Sequence, residues 1–191
     1  HYFDEARVQQ LLSVPHLLQG VREALVALTL GQVAQPLRMV MPIGDASNDG
    51  LLFLKPAQLG DALSTKLITL VPGNAQKGLP TLLSTIVLMD PATGQTLAVM
   101  EGNTITAMRT AAASAVAADA LVPRTPQVVA MLGSGVLARS HAQMLRAVRG
   151  VKRCSQASSS SDLRWPSIQP WHSASSTDSG QLMLGWPLSR L

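Results

Sequence analysis

The residues of this chain best suited to chemistry are one glycine turn and three cations set singly among apolar neighbours. The turn reads Gly133-Ser134-Gly135-Val136-Leu137-Ala138, a G-x-G-x-x-A pattern. It follows the apolar run Val128–Leu132 and opens a stretch with helical spacing. In such a turn the first glycine lets a strand bend sharply into a helix. The second lets a phosphate approach the backbone, and the small third residue, Ala138, lets helix and strand pack closely. The helix start then presents unbonded N–H groups and a positive dipole end. In its strand–turn–helix context the pattern predicts a dinucleotide pyrophosphate at Gly133 and Gly135. The acid that would separate NAD from NADP falls about 20 residues on. There the chain offers only Asp162, inside a serine tract, so both cofactors stay open.

Arg38 lies in Gln35-Pro36-Leu37-Arg38-Met39, Lys66 in Ser64-Thr65-Lys66-Leu67-Ile68, and Arg109 in Thr106-Ala107-Met108-Arg109-Thr110. Taking a cation out of water is costly unless something pairs with it. The partner is a protein carboxylate, or the carboxylate or phosphate of a ligand; the alternative is a side chain that snorkels to solvent. His16, His141 and His172 are scattered, and no spacing suggests metal ligands. No Gly-x-Ser-x-Gly nucleophile turn occurs.

Elements that could position these groups follow from periodicity. Helices are expected over 4–12, 15–30 (with Ser13 as cap), from Asn103 or Thr104 to 121, and over 136–148. Strands are expected over 37–42, 51–54, 63–71, 81–89, 95–100 and 127–132, with another starting at 151–153. Turn chemistry occupies 44–50, Pro72-Gly73-Asn74 and Asp90-Pro91-Ala92-Thr93-Gly94, the last closing a hairpin. Strands and hairpins come first and a strand–turn–helix unit second, which predicts two domains.

Bulk properties narrow the classes. The chain has 191 residues, 47% of them hydrophobic, a formal charge of +4 and a pI near 9.8. Arg22, Arg38, Lys55, Lys66, Lys77, Arg109 and Arg124 form no run. Nucleic-acid binding, which wants a clustered basic face, is therefore not expected. No long apolar run predicts a membrane span, and no leader for export is read at the start. The single cysteine, Cys154, suits a reducing, cytoplasmic setting. Composition changes near residue 154: eleven serines and all three tryptophans fall in 155–191. This segment reads as a disordered Ser-rich tail, or as an out-of-frame or alternative-exon continuation. His1 in place of Met suggests that the true start lies upstream.

Five segments together resemble the mu-crystallin/ornithine cyclodeaminase family. They are Gln35-Pro36-Leu37-Arg38, Ala62-Leu63-Ser64-Thr65-Lys66-Leu67, the stretch from Leu97 to Thr106, Arg109-Thr110-Ala111-Ala112, and the glycine turn. The likeness covers about residues 5–150, with the motifs in order. It implies an α/β fold: a mixed-sheet dimerisation and substrate domain over 1–122, then the first part of a Rossmann NAD(P)-binding domain over 123–154. The 155–191 tail falls outside it. By the same resemblance Arg38, Lys66 and Arg109 occupy the positions that hold the substrate carboxylate and the nicotinamide side of the cofactor, Arg109 being a cofactor contact as well. A lysine beside an imine can also donate or accept a proton if burial lowers its pKa, which makes Lys66 the catalytic candidate. Thr81 is implied near the nicotinamide, Thr110 beside the pyrophosphate, and Val136 and Leu137 as backbone N–H donors to it.

The resemblance implies a homodimeric NAD(P)H-dependent reductase of cyclic ketimines or of imines of 2-oxo acids. Alternatives in the same family are a lyase that cyclises ornithine using NAD, and a carrier of thyroid-hormone-like ligands. The family's catalytic aspartate lies beyond residue 154, where nothing here matches it. The chain as written is thus also open to being an inactive product that binds cofactor poorly.

Overall fold

The computed structural model describes residues 1–44, 49–122, 128–151 and 153–157. Residues 45–48, Arg124 and residues 158–191, with Asp162, His172 and the tryptophans, lie outside the described residues. The chain opens with β1 (Tyr2–Phe3), α1 (Glu5–Leu11) and α2 (Val14–Thr29), followed by β2 (Met39–Ile43), β3 (Gly50–Leu59) and β4 (Ala62–Leu70). A 3-10 helix at Pro72–Lys77 leads to β5 (Leu82–Met89), β6 (Thr96–Glu101) and α3 (Asn103–Leu121). Then come β7 (Val128–Leu132), α4 (Val136–Arg149) and β8 (Arg153–Ala157). This is the expected α/β class. A six-stranded mixed sheet runs β1-β6-β5-β4-β3-β2, and β7 and β8 pair in parallel as a separate two-stranded sheet.

Several elements differ from the sequence expectation, each for a local reason. The two-residue β1 is too short to carry periodicity; it exists because it pairs with β6 in parallel, Tyr2 with Val99. Strand β3 runs to Leu59 rather than stopping at 54, through Pro56. A proline is tolerated in a strand only where its missing N–H faces no partner. Backbone N–H groups two residues apart point to the same edge. Gln58 N donates to Ala34 O at 2.9 Å, so the Pro56 nitrogen faces that same edge, beyond the last β2 pairing of Met39 with Leu54. The turn chemistry at Pro72-Gly73-Asn74 becomes a 3-10 helix, ended by Gly78 at φ 67°. Strand β8 crosses the composition break and ends at Ala157.

Caps also differ. Ser13 occupies the N-cap of α2, but its side chain makes no capping bond. Neither Asn103 nor Thr104 caps α3: Glu101 does, its carboxylate accepting from Asn103 N and, at 3.1 Å, from Thr104 N. The expected hairpin forms over β5 and β6, where Ala92 N and Thr93 Oγ1 donate to the Asp90 carboxylate. These bonds hold that carboxyl below its ordinary pKa, Ala92's N–H being the main cause.

Helix α3 is the hub. Its alanines at 111, 112 and 115 are fully buried with Met144 of α4. Small side chains let α2 and α4 both approach it, and Val14, Leu17, Val21, Leu145 and Val148 seal the cluster. At its C-terminal end Asp119 pairs with Arg22 of α2 at 2.7 Å and with Arg149 of α4 at 3.1 Å. Arg149 also donates to the carbonyls of Ala118, Asp119 and Val122. Ala118 O already accepts from Val122 N at 3.0 Å, so Arg149 adds to the closure of the helix end. No helix among the described residues is long and apolar enough to cross a membrane.

Candidate functional site

Strand register decides which cations meet. Lys66 of β4 stands opposite Lys55 of β3 on one side and Ile86 of β5 on the other. Leu54 pairs with Met39, so continuing that register places Arg38 across from Lys55. Side chains alternate faces with a period of two, which puts Arg38, Lys55 and Lys66 in one row on one face. This is the face that α3 covers, because Lys66 Nζ donates to Thr106 Oγ1 at 3.3 Å. Arg109, one turn on from Thr106 in α3, completes the group. Its charge lowers the pKa of both Lys66 and Lys55.

The electrostatics are one-sided. Burial pushes the Lys66 ammonium down to about 8, helped next by Arg109 and then by Lys55. Lys55 is lowered too, by burial first and by Arg38 and Arg109 after it. Among the described residues no carboxylate is ion-paired with any of the four. The Arg38 guanidinium and the Lys55 ammonium instead lie 5.7 and 5.8 Å from the centre of the Phe53 ring. A ring face attracts cations without neutralising them. Such a cluster has the charge to attract an anion.

The sequence reading singled out Arg38, Lys66 and Arg109, and the structure brings all three together. It missed Lys55 as a member. The available signal was the two-residue turn Gly60-Asp61, with Gly60 at φ 57°, which joins β3 to β4 and sets Lys55 against Lys66. Thr81 is not in the group. It is exposed, just before β5, and its carbonyl accepts from Val71 N. It lies five residues, or about 17 Å of strand, from the level of Ile86.

The glycine turn sits between β7 and α4 as expected. Gly133 has φ 103°, which L side chains rarely adopt, and a Cβ on either Gly133 or Gly135 would meet nothing within 4 Å. The space a phosphate needs is therefore open. Val136 and Leu137, in the first turn of α4, are exposed at 71% and 48%, with their amides at the helix start where no intrahelical acceptor exists. Ala138 N bonds back to Gly135 O at 3.1 Å.

Helices α3 and α4 run in the same direction, since Ser114 Oγ meets His141 Nε2 at 3.0 Å and Arg149 meets the end of α3. One turn back from Ser114 and His141 brings Thr110 level with Leu137. The N-terminal half of α3 thus spans from the cation row to the glycine turn. Thr110 Oγ1 itself donates to Thr106 O at 2.6 Å. Among the described residues no group of His, Cys, Asp or Glu comes together to hold a metal ion.

A mixed sheet with a cationic face, leading into a β-α-β unit with a Gly-x-Gly turn, defines an α/β protein of the dinucleotide-binding class. The model of the ornithine cyclodeaminase/mu-crystallin family matches residues 3–161, and the chain belongs to that family. It is 38% identical over 136 residues to the ketimine reductase mu-crystallin of Macropus fuliginosus, covering 68% of this chain and 43% of that protein. The structure of a Thermococcus litoralis Delta(1)-pyrroline-2-carboxylate reductase in complex with NADH and L-proline superposes with a TM-score of 0.75 at 34% identity. It covers 81% of this chain and 48% of that one. An archaeal alanine dehydrogenase dimer with bound NAD gives 0.75 at 30% identity over 81% of this chain and 47% of its own. The chain spans less than half the length of these relatives.

Proposed function

We propose that this chain forms the carboxylate-gripping face and the first nucleotide-binding unit of an NAD(P)H-dependent reductase. Its substrates are cyclic ketimines or imines of 2-oxo acids. One observation carries the reading: Lys66, with a pKa of about 8, stands among Arg38, Lys55 and Arg109 with no carboxylate ion-paired to them among the described residues. A small acid fills that vacancy of charge. Arginine forks suit a carboxylate because two N–H groups meet two oxygens. An ammonium that titrates near 8 carries a proton it can give up close to neutral pH, which suits a proton transfer at the imine nitrogen from Lys66 Nζ.

NAD or NADP fits the residues present. The left-handed Gly133, the open space before Gly133 and Gly135, and the amides of Val136 and Leu137 suit a pyrophosphate at the start of α4. Thr110 and Arg109 lie on the path from there to the cations. The bound nicotinamide would supply the hydride. The chain's own residues would grip the carboxylate, orient the C=N bond and hold the proton. For Thr81, its place outside the cation row leaves a nicotinamide contact without support from this geometry.

An ornithine-cyclising activity suits the site less well. A diamino acid brings a second ammonium, and the four cations offer it only repulsion. Disappearance of dihydronicotinamide absorbance on adding Delta(1)-piperideine-2-carboxylate tests the reading. Net consumption supports it. Turnover of ornithine with NAD and no net change in the cofactor overturns it.

A homodimer is supported by the second face of the sheet. Helices α1 and α3 pack on the Lys66 side, while Met39, Met41, Leu83 and Leu97 on the other are 56%, 47%, 44% and 45% exposed. An apolar sheet face of this kind suits burial against a second copy. The lone cysteine supports a cytoplasmic setting.

A further inference from the structure

Lys55 stands in the same row as Lys66, and the row carries more positive charge than a single carboxylate answers. Two like charges directly opposite each other across strands, Lys55 and Lys66, are destabilising. Among the described residues no carboxylate relieves them. The four cations also divide by position. Lys66 is drawn toward α3 through Thr106 and shares that side with Arg109. Lys55 and Arg38 are gathered about the Phe53 ring, 5.8 and 5.7 Å from its centre. That ring holds both heads on the outer part of the row without cancelling their charge. One carboxylate answers one pair and leaves the other unanswered.

We propose that Lys55 and Arg38 form a second anion subsite beside the Lys66–Arg109 subsite, and that the ligands of this site are 2-oxo or 2-imino acids bearing two carboxylates. The inference rests on the reading of the row as a carboxylate site and narrows its substrate class. Neighbouring strands lie about 4.8 Å apart, so adjacent cations of the row match carboxylates separated by one or two methylene groups. Lys55 then acts as a specificity residue. It selects a diacid over a monoacid of the same length, because leaving the outer pair unanswered wastes charge that a second carboxylate meets.

Matched probes test this by calorimetric titration at neutral pH: 2-oxoglutarate against 2-oxopentanoate, and oxaloacetate against 2-oxobutanoate. The members of each pair differ only in a terminal carboxylate or methyl. We expect the diacids to bind about tenfold or more tightly than their partners. Lys55→Met should erase that advantage, and Lys55→Arg should restore it. The Met variant also removes the opposed like charges, so it should melt no lower than the parent. Monoacid binding with no diacid preference, or a preference that survives in Lys55→Met, overturns the second subsite and leaves the carboxylate reading standing. Binding of none of the four probes overturns both.

Discussion

Lys66 loses its charge over a pH range in which a small carboxylic acid stays ionised. Its pKa is about 8, lowered first by burial and then by Arg109. If its ammonium grips the carboxylate, affinity follows the charged fraction, which falls from about nine-tenths at pH 7 to about one-tenth at pH 9. The expected loss is about tenfold, or about 1.4 kcal/mol. That is an upper figure, since Lys66 is only half-buried and solvent screens it. Arg109→Gln is the matched perturbation. Removing a neighbouring cation raises the Lys66 pKa, so the midpoint of the binding curve moves to higher pH even as affinity at pH 7 falls. Calorimetric titration with pyrrole-2-carboxylate across this range gives the curve, and NMR of lysines labelled at Cε gives the titration of Lys66 itself. Affinity that stays flat from pH 7 to 9 refutes the reasoning. So does a Lys66 that titrates at its ordinary 10.5, or a midpoint that moves down in Arg109→Gln.

The same shift predicts how stability depends on pH. Between about 8 and 10.5 the unfolded lysine holds its proton and the folded one has released it. The unfolded state then binds more protons, so stability rises with pH across that window. Urea midpoints should show the rise in the parent and a smaller one in Lys66→Met. Gly135→Ala and Gly133→Ala should part company. Gly135 has φ −74° with nothing near its Cβ, so alanine should leave the melting curve unchanged while weakening NADH binding by entering the phosphate space. Gly133 at φ 103° should lose about 1–3 kcal/mol of stability as well. Gly102→Ala places a Cβ 2.5 Å from Ser84 Oγ and 2.9 Å from the Ser84 carbonyl. Backbone must then move, and a loss of about 1–3 kcal/mol in urea unfolding is expected. Arg149→Met uncovers the α3 carbonyls and leaves Asp119 with Arg22 alone. A loss of about 1.5–3 kcal/mol is expected, with faster amide exchange at the end of α3.

Much of this protein was legible in the chain itself. The glycine turn declared its own geometry, because a sharp strand-to-helix bend beside a phosphate leaves few residue types at Gly133, Gly135 and Ala138. Helix α2 followed from apolar spacing, α3 from its run of alanines, α4 from its place after the glycine turn, and the β5–β6 hairpin from Asp90 and Gly94. Three of the four clustered cations could be picked out because a lone charge among apolar residues is costly and asks for a partner. Periodicity stops at a single element, however. It reports which side of a strand a residue takes, and not which residue of another strand stands opposite. Lys55 became part of the site only through register, fixed by the Gly60-Asp61 turn. Strand β3 runs on past Leu54 through Pro56 because that proline's nitrogen faces a gap in the pairing. Strand β1 forms only because β6 is there to bond it. Thr81 lies away from the cation row because the 3-10 helix and β5 carry it to the far end of the sheet. Whether the cations are neutralised is likewise a property of the assembled fold, since a carboxylate's distance from an ammonium is set by packing between segments remote in sequence.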